Sequence, residues 1–367
     1  MKESDKVIVT DEQLKIVNAT EPFIAVIGPP GTGKTRVLTE RIKRLIDSGV
    51  NPASIVAITF TNFAANEMLS RLPECNGMFI GTMHSYAALL LRKNGIAIDI
   101  DKMVEEKSFD KLIKMVNESS GLDIPYIQYL FVDEVQDLCD YEFEFINHLP
   151  CENLFLGGDA DQCIYQFKGA KPELFNTYCR KPSTKLYTLT RNFRCGQNIV
   201  QFSQYFLQGI PNRINIDVVG NLNDRGWVTR TDFDDALFNL YNDRDYGNWF
   251  ILTRTNQELE AVARKLETDN IPFTSFKQGD FTNEEIEQFL RNDEVKLLTI
   301  HSAKGLEADN VIVIGCRNWG GMEEKCIEYV AATRARKRVF WCPTIVSPTR
   351  RKVVNKTKQV SRGISWE

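Results

Sequence analysis

The sequence predicts an α/β fold built on parallel sheets and divided into two domains, and three observations carry that expectation. The glycine-rich segment GPPGTGKT, residues 28–35, follows the apolar run Phe23, Ile24, Ala25, Val26, Ile27. It precedes a stretch whose apolar positions Val37, Leu38, Ile42, Leu45 and Ile46 fall on one helical face, which gives a strand, a turn and a helix in that order. A second apolar run, residues 127–132, ends in the acidic pair Asp133 and Glu134. Finally, 367 residues at 43% hydrophobic and 26% charged are ordinary globular material, long enough for two cores of domain size.

The first of these elements matches the phosphate-binding P-loop, G-x-x-x-x-G-K-[ST]. Gly31 and Gly33 let backbone N–H groups converge on phosphate oxygens without a Cβ in the way, and the helix N-terminus adds partial positive charge. Lys34 would reach the β- and γ-phosphates and Thr35 a Mg²⁺ ion. The whole turn, Gly28, Pro29, Pro30, Gly31, Thr32, Gly33, Lys34 and Thr35, is therefore a candidate nucleoside triphosphate site.

Composition sets outer limits. The net charge of −4 supplies no global pull toward a polyanion, so nucleic-acid binding would need a local groove. Nine cysteines include no C-x-x-C pair, which argues against zinc and against a disulfide framework and favours reduced thiols in a cytoplasmic compartment. No apolar run of about 18 residues and no cleavable leader are present, so neither membrane insertion nor secretion is expected.

Ahead of the P-loop, Val7 and Ile8 form a short apolar piece and a helix is expected from Thr10. Thr10 and Gln13 have capping-box spacing, but the Gln13 amide could equally read an adenine edge, and the sequence leaves both open. After the P-loop helix, Asn51 and Pro52 break the pattern and residues 55–58 form a second strand. It runs into TFTNFAANEM, residues 59–68, at the carboxyl edge where parallel sheets hold ligands. A third strand at 78–80 ends in GTMHSYA, with Thr82 and His84 at its mouth. Residues 92–130 read as a polar connection with one helix over 102–116.

The acidic tip of the 127–132 strand carries the chemistry. Two buried carboxylates are costly unless something positive sits opposite, and Mg²⁺ is the natural answer. Asp133 would coordinate it and Glu134 would orient and deprotonate an attacking water. Next come a strand and turn over 153–170, where Tyr165, Phe167 and Lys168 could stack bases and hold phosphate.

Together GPPGTGKT, TFTNFAANEM, GTMHSYA, DEVQD, GGDADQCIYQFKGA, TRNFR, LLTIHSAKGLEADNVIVI and EYVAATRARKR resemble, in order, the motifs of the UvrD/Rep/PcrA family of DNA helicases. That resemblance implies two tandem RecA-like P-loop domains with the nucleotide in the cleft between them. It also implies ATP and Mg²⁺ as cofactors. By it, Gln13 is the adenine-reading glutamine, Arg36 lies near the nucleotide, and Gln162 senses the γ-phosphate. Arg194 and Arg334 are the arginine fingers, Phe193 packs on the base, and Glu307 lies near ribose and phosphate. Phe60, Asn62, Thr82, His84, Tyr165, Phe167 and His301 are the strand-binding set. The implied activity is ATP-dependent translocation on single-stranded DNA, 3′ to 5′, at single-strand/duplex junctions in replication, repair or recombination, by a monomer with a protein loading or stimulating partner.

Two residues depart from the family pattern: Phe167 stands where relatives carry tryptophan, and Ala308 where an aromatic is usual. The larger departure is missing mass. The first accessory insertion is reduced to about 92–130, and the second is expected to be absent, with only residues 279–294 in its place. The expected domains are therefore 1–185 and 186–343, followed by a basic tail, 344–367, as a candidate added contact to nucleic acid. The closing helix of the second domain is expected over 325–338, with Arg336, Lys337 and Arg338 offsetting its dipole. Because accessory domains regulate unwinding in the family, an ATPase that moves on a strand without unwinding duplex unaided is one alternative. A nucleotide-gated single-strand sensor is another.

Overall fold

The computed structural model describes residues 9–72, 76–106, 108–276, 283–316 and 320–343. Val7, Ile8 and the basic tail 344–367 lie outside the described residues. The first domain begins with α1 (Asp11–Val17), β1 (Phe23–Ile27) and α2 (Lys34–Asp47), then β2 (Ile55–Thr59), α3 (Asn62–Arg71), β3 (Phe79–Thr82) and α4 (Met83–Lys93). After α5 (Ile100–Glu105) and α6 (Asp110–Glu118) come β4 (Ile127–Val132), α7 (Asp140–His148), β5 (Cys151–Gly158), α8 (Pro172–Cys179) and β6 (Lys185–Thr188). These strands form one six-stranded parallel sheet in the order β3-β2-β4-β5-β1-β6. One face packs on α1, α2 and α3 through Ile16, Val37, Leu38, Ile42 and Met68. The other packs on α4, α6, α7 and α8 through Leu90, Ile113, Phe145 and Phe175.

Past a short linker, β7 (Arg191–Gly196), α9 (Gln197–Phe206) and β8 (Val219–Asn221) form a small two-stranded unit. The second domain continues with β9 (Trp227–Arg230), α10 (Phe233–Asp243), β10 (Trp249–Thr253), α11 (Asn256–Thr268), β11 (Phe273–Phe276), α12 (Asn283–Arg291), β12 (Val295–Thr299), β13 (Ala308–Ile314), α13 (Met322–Ala332) and β14 (Ala335–Cys342). Its sheet is also six-stranded and parallel, ordered β11-β12-β10-β13-β14-β9. One core lies under α10 and α11, and another joins α9 and α13 to Cys163, Ile164, Tyr165 and Ala170 of the first domain, so the two domains share apolar packing.

Several expectations need correction. The expected helix over 102–116 is two helices: α5, capped where Asp99 accepts from the Lys102 N–H at 3.0 Å, and α6, whose Leu112, Ile113 and Val116 turn into the core. The first sheet does not stop at residue 185, because β6 pairs with β1 from Ile24 opposite Lys185 to Ile27 opposite Thr188. The closing helix ends at Ala332, and 335–342 is a strand in register with β13, Val339 opposite Val311 and Phe340 opposite Ile312. Arg336, Lys337 and Arg338 therefore offset no helix dipole. They meet Glu307, Asp309 and Asn310 at 2.5, 2.7 and 2.6 Å. Residues 279–294 include α12, where no element was expected.

The topology places the chemistry. In the first domain the P-loop follows β1, Phe60 follows β2, His84 follows β3, Asp133 follows β4 and Asp159 follows β5, all at the carboxyl edge of the sheet. The second domain answers with the amino edge of its own sheet, since Glu307 precedes β13 and Arg334 precedes β14.

Candidate active site

The P-loop is shaped by two left-handed glycines, Gly31 at φ 78° and Gly33 at φ 87°. A Cβ on Gly31 would stand 2.6 Å from both the Arg194 Cβ and the Asn192 side-chain oxygen, so this turn admits only glycine. Helix α2 starts at Lys34 with no side-chain cap on Gly33, leaving first-turn N–H groups open to an anion. Farther along α2, buried Arg41 donates to the carbonyls of Ile16, Val17 and Ala19, which docks α1 beside the loop. Gln13 on α1 joins the helix start to the P-loop. Its Oε1 accepts from the Thr10 N–H at 3.1 Å while its Nε2 donates to the Thr32 carbonyl at 3.1 Å. One amide hydrogen and one lone pair remain for a ligand.

Lys34 is buried between carboxylates, 2.5 Å from Glu134 Oε1 and 3.5 Å from Asp133 Oδ1. Burial alone would depress its ammonium, but Asp133 and Glu134 together hold it above the ordinary lysine range. Thr35 donates its hydroxyl proton to Asp133 Oδ2 at 2.9 Å. Glu134 sits at φ 57°, an unusual conformation for a non-glycine residue, which turns its side chain back toward Lys34. Burial pushes the Glu134 carboxyl up, yet Lys34 and Lys304 overcome it and bring it to about 2. Asp133 moves the other way, raised by burial despite Lys34. Gln136 also donates to Glu134.

The second domain reaches this point with Lys304, whose ammonium lies 2.5 Å from Asp137 Oδ2 and 2.9 Å from the Gln162 carbonyl. Burial lifts Asp137 to about 6 in spite of that lysine, and its other oxygen, Oδ1, is buried without a hydrogen bond. Gln162 directs its amide at Asp159, 2.9 Å away.

Opposite the P-loop, Arg194 is ion-paired with Glu307, which also holds Arg336. Arg334 is 2% exposed, and among the described residues its guanidinium hydrogen-bonds only neutral oxygens, those of Val330, Leu306 and Thr333. Burial and the neighbouring Arg194 push it down to about 10. Phe193 is 41% exposed with Arg191 over its ring at 5.3 Å. The cleft enclosed by these groups measures about 1100 Å³. Gln13, Arg36, Lys34, Thr35, Asp133, Glu134, Gln162, Phe193, Arg194, Glu307 and Arg334 all line it.

The aromatic residues form a second, adjoining group. Phe60 stacks on Tyr165 at 5.7 Å, and Tyr165, Phe167 and His301 lie within 6.3 Å of one another, ring centre to ring centre. Lys168 stands over both Tyr165 and Phe167, and Lys304 over the inner side of Tyr165. Tyr165 is buried, with its hydroxyl donated to the His301 carbonyl at 3.3 Å, whereas Phe167 is 63% exposed. Burial, with Arg254 and Lys168 nearby, pushes His301 down to about 4. A smaller cavity of about 270 Å³ runs from His84 past Phe60, Tyr165 and Lys168 to Asp133 and Asp137, so it touches the acidic tip from behind. Asn62 and Thr82 line neither cavity: Asn62 is exposed at the start of α3, and Thr82 caps α4 by accepting from the Ser85 N–H at 3.2 Å.

Sequence reasoning missed Lys304, Asp137 and Asn192. The signal for Lys304 was a single cation in the small-residue turn HSAKGLE. For Asp137 it was the third acid of DEVQD, left without an assigned counterion. Asn192 gave no signal, because its role depends on a loop 162 residues away. Among the described residues no group of three or more His, Cys, Asp or Glu side chains could by itself hold a metal ion, and no helix is long and apolar enough to cross a membrane.

Comparison with known proteins agrees with this architecture. The family model of the UvrD/REP helicase N-terminal domain matches residues 9–124 and 125–182, and that of the UvrD-like helicase C-terminal domain matches 280–343. Similar curated proteins include an ATP-dependent DNA helicase PcrA of Leuconostoc citreum, 24% identical over 72% of this chain and 49% of the relative. A probable DNA helicase of Mycoplasma pneumoniae is 24% identical over 90% of this chain and 82% of its own. A putative ATP-dependent DNA helicase of Acanthamoeba polyphaga mimivirus is 27% identical over 92% and 53%. Apart from the Mycoplasma pneumoniae protein, the chain spans about half the length of these relatives.

Proposed function

The chain belongs to the UvrD/Rep/PcrA-type helicase family, and from that premise we propose that it is an ATP-driven motor on single-stranded DNA, moving 3′ to 5′ and acting at single-strand/duplex junctions in DNA replication, repair or recombination. The observation that carries this reading is the buried guanidinium of Arg334, without a carboxylate on it, in the same cleft as the uncapped start of α2. A buried charge left this way is costly, and a polyphosphate is the ligand that would offset it.

In this reading the triphosphate rests on the P-loop N–H groups and Lys34, with Arg36, Gln13 and Phe193 around the nucleoside. Arg194 and Arg334 meet charge developing on the γ-phosphate, and Gln162 and Glu307 hold its surroundings. A phosphate drawn to Lys34 would free Glu134 from its ion pair. Glu134 then takes a proton from water as the water oxygen bonds to the γ-phosphorus and the bond to the ADP oxygen breaks. Thr35 and Asp133 offer hard oxygen donors already 2.9 Å apart, which fit Mg²⁺ completed by phosphate oxygens and water. When bound, that ion neutralises charge on the triphosphate.

The strand would run over Phe167, His301 and Lys168, with Phe60, Tyr165 and His84 beneath, and Asn62 and Thr82 as outlying contacts. A motor that does not unwind duplex unaided is favoured by one observation: among the described residues, α5, α6 and α12 are the helices lying wholly within the intervals where relatives carry accessory domains. A loading or stimulating protein would then supply unwinding.

The test is steady-state ATPase with Mg²⁺, with and without a poly-dT oligonucleotide, on the protein and on Glu134→Gln. Strong stimulation by the strand, lost in the variant while nucleotide binding persists, is expected. Turnover indifferent to the strand would leave a nucleotide-gated sensor instead, and unchanged turnover in Glu134→Gln would remove that residue from catalysis.

A further inference from the structure

The linker between the domains is held by two side chains that the chemistry above does not use. Only Leu189 and Thr190 separate β6 from β7. Glu12 of α1 accepts from the N–H of Thr190 at 3.1 Å, from its hydroxyl at 2.8 Å and from the N–H of Arg191 at 3.1 Å. One residue on, Asn192 is buried and spends both ends of its amide. Nδ2 donates to the Pro30 carbonyl at 2.8 Å, and Oδ1 accepts from the backbone N–H groups of Arg194 and Cys195, each at 2.8 Å. The Phe193 N–H donates to the Gly31 carbonyl at 2.8 Å, closing the strap.

We propose that Asn192, with Glu12 fixing the linker ahead of it, is a positioning residue that sets the Arg194 backbone against the P-loop, so that the arginine is placed relative to the nucleotide turn. The inference rests on the ATPase reading above. An amide suits the post because its nitrogen donates to the P-loop turn while its oxygen accepts from two N–H groups of its own strand; ionised aspartate has no donor, alanine has neither group, and serine has one shorter hydroxyl for both tasks. The left-handed Gly31 belongs to the same device, since any Cβ there would collide with Asn192 and Arg194.

The experiment is a double-mutant cycle on the full chain, Asn192→Ala with Arg194→Ala, read as strand-stimulated kcat and as equilibrium affinity for a fluorescent ATP analogue. Asn192→Ala is expected to lower kcat about tenfold or more, because small misplacements of a catalytic group are that costly, while analogue affinity stays within about threefold. In the Arg194→Ala background the second substitution is expected to change kcat less than about twofold. Glu12→Gln, which keeps the helix and one acceptor oxygen, is expected to show a smaller loss of the same kind and guards against a misfolded Asn192→Ala. Additive losses, or analogue affinity falling in step with kcat, would overturn the proposal, because both describe general damage to the loop. If Arg194→Ala itself leaves turnover unchanged, it is the assignment of Arg194 that fails, and the clasp loses its object with it.

Discussion

Replacing Lys304 by methionine tests the buried pair that joins the domains, and the structure sets how the cost must depend on pH. The side chains are 11% and 0% exposed, so solvent screening is small, and methionine keeps the aliphatic stem while removing the charge. In the wild type Asp137 titrates at about 6, above the ordinary 3.8. A carboxyl raised in this way favours the folded state most below its unfolded value, and that contribution is lost as pH climbs through the folded value. Removing Lys304 removes the only cation on Asp137 among the described ion pairs, so the folded value rises further and the loss continues past pH 6. At pH 6 the variant therefore differs little in charge energy from the wild type. Two pH units higher, at about 1.4 kcal/mol per unit, the gap reaches about 3 kcal/mol. With roughly 2 cal/mol/K of unfolding entropy per residue, this corresponds to a Tm gap of about 4 °C at pH 8 that nearly closes at pH 6. Thermal unfolding at the two pH values checks it, and adding Asp137→Asn should flatten the dependence. A loss equal at both pH values, or no rescue by Asp137→Asn, would refute the assignment of the cost to a stranded carboxylate.

Two further outcomes are expected. Phe167→Ala should weaken single-strand binding by about 1–3 kcal/mol, as loss of one stacking ring does, while leaving strand-free ATPase unchanged; fluorescence anisotropy on a dT oligonucleotide at fixed salt measures it. Gly31→Ala should destabilise by at least about 1–2 kcal/mol from the left-handed backbone alone and should also weaken nucleotide binding as the strained turn pulls its phosphate-facing N–H groups out of line, both visible in a thermal shift with and without ATP.

What the sequence made legible is what local chemistry decides. The P-loop strand, turn and helix follow from an apolar run, glycines that tolerate positive φ and a 3.6-residue period, and β1 and α2 stand where these require. The acidic tip after β4 was legible because two adjacent carboxylates at a buried strand end need a cation. What was not legible depends on distant partners. ARKRVFWC, residues 335–342, follows the helical stretch that ends at residue 332 and becomes strand where β13 and β9 flank it. Residues 185–188 join the first sheet through β1. Lys304 needs Asp137, 167 positions away, to acquire meaning.

The least legible element, α12, changes how closure should be understood. It lies between β11 and β12 of the second domain, yet it packs against α3 of the first, and Ile286 and Leu290 meet the same apolar cluster as Phe60 and Phe63, with Phe289 buried in it. Contacts between the domains thus include the clasped linker, the Lys304 and Asp137 pair, the packing of α9 and α13 on Cys163, Ile164 and Tyr165, and α12. Burying a large apolar side chain is worth about 1.5–3 kcal/mol, so freeing Phe289 alone would cost that much, a little less than the roughly 3–5 kcal/mol of breaking a buried ion pair. A single phosphate contact of about 1.5–3 kcal/mol cannot offset all of these contacts at once. An opening motion would therefore have to release these contacts in steps, and release of α12 would uncover the cluster against which Phe60 packs. The helix that fills a short interval consequently sits where any such motion would meet the aromatic surface.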